Sequence, residues 1–91
     1  MTGARLAMTG ETSGNAIADR IAARLALYLG PHTGRVAVKT FAVKALGRGP
    51  ETLTLQDVPA LQQALRPMLR TFVGRAQCEI VLEQIARELG L

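Results

Sequence analysis

Residues His32 to Leu46 read His-Thr-Gly-Arg-Val-Ala-Val-Lys-Thr-Phe-Ala-Val-Lys-Ala-Leu, and the fold turns on whether they form a helix or a strand. Val36, Val38, Thr40, Phe41 and Val43 favour β-structure, and Val36, Val38, Thr40 and Ala42 alternate weakly with period two. Three features favour a helix instead. The run is longer than most strands. Lys39 and Lys44 would fall on opposite faces of a strand, leaving neither face apolar. Val38, Phe41, Ala42 and Ala45 line one side of a helix. The segment is read as a helix over 31–46, with Pro31 at its first position, where a missing N–H costs nothing.

The same reading extends in both directions. Upstream, Ile17, Ile21, Leu25 and Tyr28 recur at helical spacing, with Ala18, Ala22 and Leu29 beside them. Ser13 or Asn15 can cap this helix, Asp19 suits its positive end, and Gly30-Pro31 stops it. Downstream, Gly47-Arg48-Gly49-Pro50 is a break. Thr54-Leu-Gln-Asp57 has capping-box spacing, but Asp57 alone is taken as the cap because Pro59 then falls in the first turn. Residues 53–56 become a turn that packs Leu53 or Leu55 on the core. A third helix carries Val58, Leu61, Leu65, Met68 and Phe72, with Leu69 beside them and a kink expected at Pro67. Gly74 ends it. The fourth carries Cys78, Leu82, Ile85 and Leu89, with Val81 widening the stripe and Gly90 as cap.

The expectation is an all-α bundle of four helices over about 14–29, 31–46, 57–73 and 75–89, forming one domain over 14–91. Residues 1–13, with Gly3, Gly10 and four Thr or Ser, are read as a flexible tail. No internal repeat with a period of 20 to 50 residues is read in the chain.

Composition narrows the function. The 91 residues are 48% hydrophobic, too apolar for a disordered chain, and only 3% aromatic, so aliphatic side chains must fill the core. One Cys and one His exclude a disulfide framework and a Cys/His zinc site. No apolar run approaches a membrane span, and no signal-peptide core is read at the N-terminus, which sets a cytoplasmic expectation. A chain this small has little stability to spare, so a homo-oligomer or a partner is expected.

Catalytic chemistry finds no complete constellation. Cys78 lies in an apolar stripe, where a thiol is usually inert. His32 sits at a helix start, where the dipole opposes its protonation. Glu79 and Glu83 share a helix face with Arg75 and Arg87, the pattern of a solvated, salt-bridged surface. Gly30 to Arg35 offers a helix N-terminus, but its glycines match neither phosphate-binding fingerprint. The chain is expected to be no enzyme and to bind no metal or cofactor.

Charge is more informative. No acid stands between Asp19 and Glu51, while Arg20, Arg24, Arg35, Lys39, Lys44 and Arg48 all do. Such a segment can attract an acidic protein or nucleic acid. Lys44 lies opposite Arg35 on a helical wheel, no base-reading cluster shares a helix face, and no aromatic is placed to stack bases. Apolar residues exceed what four short helices can hide: Leu27, Leu46, Leu69, Val73 and Ile80 fall at stripe margins. Phe41, Met68, Leu69 and Phe72 are the candidate anchors of an apolar interface.

The segment Leu25-Ala-Leu-Tyr28-Leu-Gly30-Pro31-His-Thr-Gly-Arg35-Val-Ala-Val38-Lys resembles the opening of a small helical domain appended to bacterial signalling proteins, including serine/threonine kinases. The resemblance covers residues 25–46. It departs at His32, where the family has a small apolar residue, and at Gly34, where Ala is usual. It implies a regulatory or interaction module without catalytic residues. The first expectation is thus a non-catalytic, self-associating interaction module in bacterial signalling, with an acidic protein among its partners. The alternative is a small nucleic-acid-binding protein using the Arg20–Arg48 segment.

Overall fold

A computed structural model describes residues 15–91. Four α-helices follow one another: α1 (Ala16–Leu29), α2 (Pro31–Leu46), α3 (Val58–Val73) and α4 (Arg75–Glu88). Two short 3-10 turns, Pro50–Thr52 and Leu55–Asp57, lie between α2 and α3. Among the described residues there is no strand. The protein is an all-α bundle, and residues 32–46 are helical. The tail expected over 1–13 lies outside the described residues.

In the bundle α1 packs on α2 and α4, and α3 packs on the same two. The core is aliphatic, as the shortage of aromatics requires. It contains Ile21 and Leu25 of α1, Val38 of α2, Leu61, Leu65 and Leu69 of α3, and Val81 and Ile85 of α4. Leu53 fills it from the connecting segment, while Leu55 stays exposed. Burying one such side chain contributes roughly 1.5–3 kcal/mol.

Asn15 ties the connecting segment to α1. Its Oδ1 accepts from the N–H groups of Ile17 and Ala18 at 2.9 and 3.0 Å, which caps the helix. Its Nδ2 donates to the carbonyls of Glu51 and Leu53 at 3.1 and 2.9 Å. Asp57 behaves differently from the reading above. Its carboxylate turns back to accept from the Thr54 N–H and hydroxyl, both at 3.0 Å, so the capping-box spacing of Thr54 and Asp57 belongs to the 3-10 turn. It does not cap α3, which grows directly out of that turn. Pro67 sits inside an unbroken α3. Both Pro67 and Gln63, whose carbonyl it leaves without an amide, are on the exposed side, where water can serve that carbonyl.

The bundle also contains the repeat that the sequence did not disclose. α1 and α2 meet at Gly30, with φ 91° and ψ 156°. α3 and α4 meet at Gly74, with φ 87° and ψ 164°. This conformation is not the left-handed helical one common at helix ends, and it is open essentially to glycine alone. Each glycine accepts and donates like a helical residue: Gly30 N–H to Ala26 O and Gly34 N–H to Gly30 O, then Gly74 N–H to Arg70 O and Cys78 N–H to Gly74 O. The two corners stand 44 residues apart, and the correspondence runs well beyond them. Ile21 and Leu25 match Leu65 and Leu69, and Ala37 and Val38 match Val81 and Leu82, all buried. Few identities survive, Gly30 and Gly74 among them, which is why the repeat escapes a reading by residue type.

Candidate functional site

The correspondence allows the two helix seams to be compared position by position. On the α1/α4 seam, Arg24 donates to Glu88 at 2.8 Å and the Tyr28 hydroxyl to Gln84 at 3.3 Å. These polar contacts bridge the seam. At the matching positions α3 carries Met68 and Phe72, and α2 carries Lys44 and Thr40. No acid is available to Lys44 there, and its ammonium instead stands 5.7 Å from the centre of the Phe41 ring, a cation–π distance. Met68 and Phe41 are half-buried against the core. Phe72 is 60% exposed, although its phase on α3 belongs to the core side, because it sits in the last turn. The α2/α3 seam therefore lacks the polar pairs that bridge the other, and its α3 side is apolar.

Leu69 is corrected by the structure. It is fully buried in the core and presents nothing to a partner. The buried line of α3 runs Val58, Leu61, Leu65, Leu69; Met68 lies beside it, and Phe72 continues it into the last turn, past the core. The anchors expected on one surface thus reduce to Phe41, Met68 and Phe72. Among the marginal apolar residues, Leu27 and Ile80 are exposed, and Leu46 and Val73 are half-buried. Val36 and Val43 add exposed apolar area to α2.

The six basic residues do not share one face. Arg24 lies on the flank of α1 that meets α4, and Arg20 lines a surface hollow with Ile17, Leu55 and Leu89. The opposite flank of α1, with Ala22 and Ala26, meets α2 at Gly34. Arg48 pairs with Asp57 at 2.8 Å, and Lys44 covers Phe41. Lys39 is exposed, and Arg35 is half-buried and engaged within the protein. Arg48 and the Thr54 amide hold the Asp57 carboxyl below its ordinary range, the amide being the larger cause.

Acids and bases are nevertheless distributed by helix. α2 and α3 contain no Asp or Glu, and they carry Arg35, Lys39, Lys44, Arg66 and Arg70. The three acids of α4 are all engaged. Glu79 pairs with Arg66, not with Arg75 on its own helix as the sequence pattern implied. Glu83 pairs with Arg87 at 2.7 Å and Glu88 with Arg24. The Arg66 hydrogen bond lowers the Glu79 pKa.

Cys78 is buried, donates weakly to the Arg66 carbonyl at 3.6 Å, and has its thiol pKa pushed up by burial. His32 is exposed at the start of α2, and Gly34, in the same stretch, is buried against α1. Among the described residues no three His, Cys, Asp or Glu side chains gather where a metal ion could be held. No described helix is long and apolar enough to cross a membrane.

No family model, no curated protein and no solved structure matches the chain. The functional reading therefore rests on the residues themselves.

Proposed function

We propose that the chain is a non-catalytic interaction or regulatory module that docks a helix, foreign or from a second copy, on its α2/α3 side. One observation carries this reading. Phe72 exposes 60% of its surface in the last turn of α3, on the helix pair that also carries half-buried Phe41 and Met68. A large apolar side chain kept out of the core, next to other apolar groups, is the feature of a docking surface. The resemblance of residues 25–46 to a domain of bacterial signalling proteins supports a regulatory setting.

Nucleic-acid binding has less support. Two of its six cations are paired with acids, and Arg24 lies on a different flank of the fold from α2. The test of the proposed reading has two arms. Sedimentation equilibrium follows the mass of the wild type and of Phe72→Ser against concentration. Polarisation follows binding of amphipathic helical peptides to each. Association in either arm that Phe72→Ser weakens supports the reading. A chain that stays monomeric and binds no helical peptide contradicts it.

A further inference from the structure

The two helices of the α2/α3 side share a second property besides the apolar residues at their seam: neither carries a carboxylate. A docked helix brings its own charges, and the side it meets decides which are tolerated. Here Lys44 stands in the seam and Lys39 on the exposed face of the same helix. At the position matching Lys44, α4 carries Glu88 and meets Arg24 across its seam. Lys44 meets no such partner, because Met68 occupies the place that matches Arg24. The seam thus supplies half of an ion pair and leaves the other half to an incoming chain.

A second copy is a poor source of that half. Among the described acids of each copy, Asp57, Glu79, Glu83 and Glu88 are in ion pairs and Asp19 is engaged, which leaves Glu51 alone to offer, and each copy carries +4. Nucleic acid would leave Phe72 without an apolar counterpart. We infer that the occupant is an amphipathic helix of another protein, with an apolar face for Phe41, Met68 and Phe72 and a carboxylate for Lys44. This inference rests on the proposed reading of the α2/α3 side and narrows it to one chemistry. Lys44 is held for this role, since its ammonium already stands 5.7 Å from the centre of the Phe41 ring. Docked apolar area supplies most of the affinity, and the ion pair supplies selectivity.

The experiment uses the full chain and three labelled peptides of about 18 residues, or five helical turns. One has a leucine face and a glutamate face. Its twin has lysine in place of glutamate. The third keeps the glutamates in a scrambled order without an apolar face. Fluorescence polarisation is read at low and moderate salt, and phosphatidylserine vesicles are tested by co-sedimentation. The leucine–glutamate helix is expected to bind, more weakly at higher salt. Its affinity is expected to fall about tenfold or more in Phe72→Ser and again in Lys44→Glu. Lys44→Glu is also expected to bind the lysine twin, which the wild type rejects. Circular dichroism and urea midpoints of both variants should match the wild type, so that loss of binding is not loss of fold.

Equal binding of the acidic and basic helices would overturn the inference. So would binding of the scrambled peptide, or affinity for vesicles with none for the peptides. Self-association that Phe72→Ser abolishes, without peptide binding, would leave the α2/α3 side as a docking surface and remove this occupant. Absence of every association would remove the proposed reading itself.

Discussion

Gly34 of α2 lies so close to Ala22 of α1 that a Cβ built on it would stand 2.8 Å from the Ala22 carbonyl oxygen and 3.1 Å from the Ala26 nitrogen. Both obstacles are backbone, which cannot swing away as a long side chain could. The helix hairpin therefore closes to a distance that only glycine permits.

Gly34→Ala sets two effects against each other. Alanine improves helix propensity by about 1 kcal/mol. Overpacking costs about 1–3 kcal/mol, and here it must be relieved by moving a helix. The clash is expected to win, with a net loss of up to about 2 kcal/mol and a melting temperature lower by up to about 15 °C. A thermal melt by circular dichroism reads this, and an unchanged or raised melting temperature would show that α1 and α2 yield easily.

Leu69 and Phe72 make a second contrast. They are three residues apart on α3, one fully buried and the other 60% exposed. Leu69→Ala is expected to cost about 2–5 kcal/mol. Phe72→Ser should stay within about 0.5 kcal/mol of wild type. Urea unfolding of both variants checks it, and a large loss in Phe72→Ser would assign that ring to the core.

This contrast also shows what the residues disclose on their own. Four helices, their breaks and most of the core follow from apolar spacing, because each helix is amphipathic and each break contains glycine. The phase of α3 is less legible. Leu65, Met68, Leu69 and Phe72 are all apolar, and two stripes fit them equally well until α2 and α4 are in place. The cations seemed to form one segment because sequence distance hides which flank of α1 meets which neighbour. The apolar residues of the α2/α3 seam are hidden for a related reason. They become visible only when Met68 and Phe72 are compared with Arg24 and Tyr28, and that comparison needs the matched glycine corners. The commitment of Asn15 to two carbonyls of the connecting segment likewise depends on contacts 36 and 38 residues away.

Asn15 therefore offers a test that separates its two roles. Asn15→Asp keeps an oxygen for the Ile17 and Ala18 amides but turns another oxygen toward the Glu51 and Leu53 carbonyls. Asn15→Ala removes both roles, at a cost of about 1–2 kcal/mol. Asn15→Asp is expected to be destabilising as well, despite being a good cap. Chemical denaturation of both variants decides it, and an Asp variant as stable as wild type would show that the two carbonyl contacts contribute nothing.

Acid sensitivity follows from Asp57 and Glu79. Both have pKa values below those of free carboxylates, Asp57 chiefly through the Thr54 amide and Glu79 through Arg66. A depressed folded pKa contributes stability above the unfolded value and loses it as pH falls through the folded value. Stability is thus expected to hold near neutrality and to decline below about pH 4. Asp57→Asn should be less stable at pH 7 and show a shallower decline in acid. Urea midpoints from pH 7 to pH 2.5 check this, and parallel curves would contradict it.

The most direct measurement of the central claim is a chemical-shift titration of ¹⁵N-labelled protein with the leucine–glutamate helix. The perturbed amides are expected to cluster at Thr40, Phe41, Lys44, Met68 and Phe72, along the seam of α2 and α3. Perturbations centred on Leu27 or Ile80, on the outer faces of α1 and α4, would contradict it.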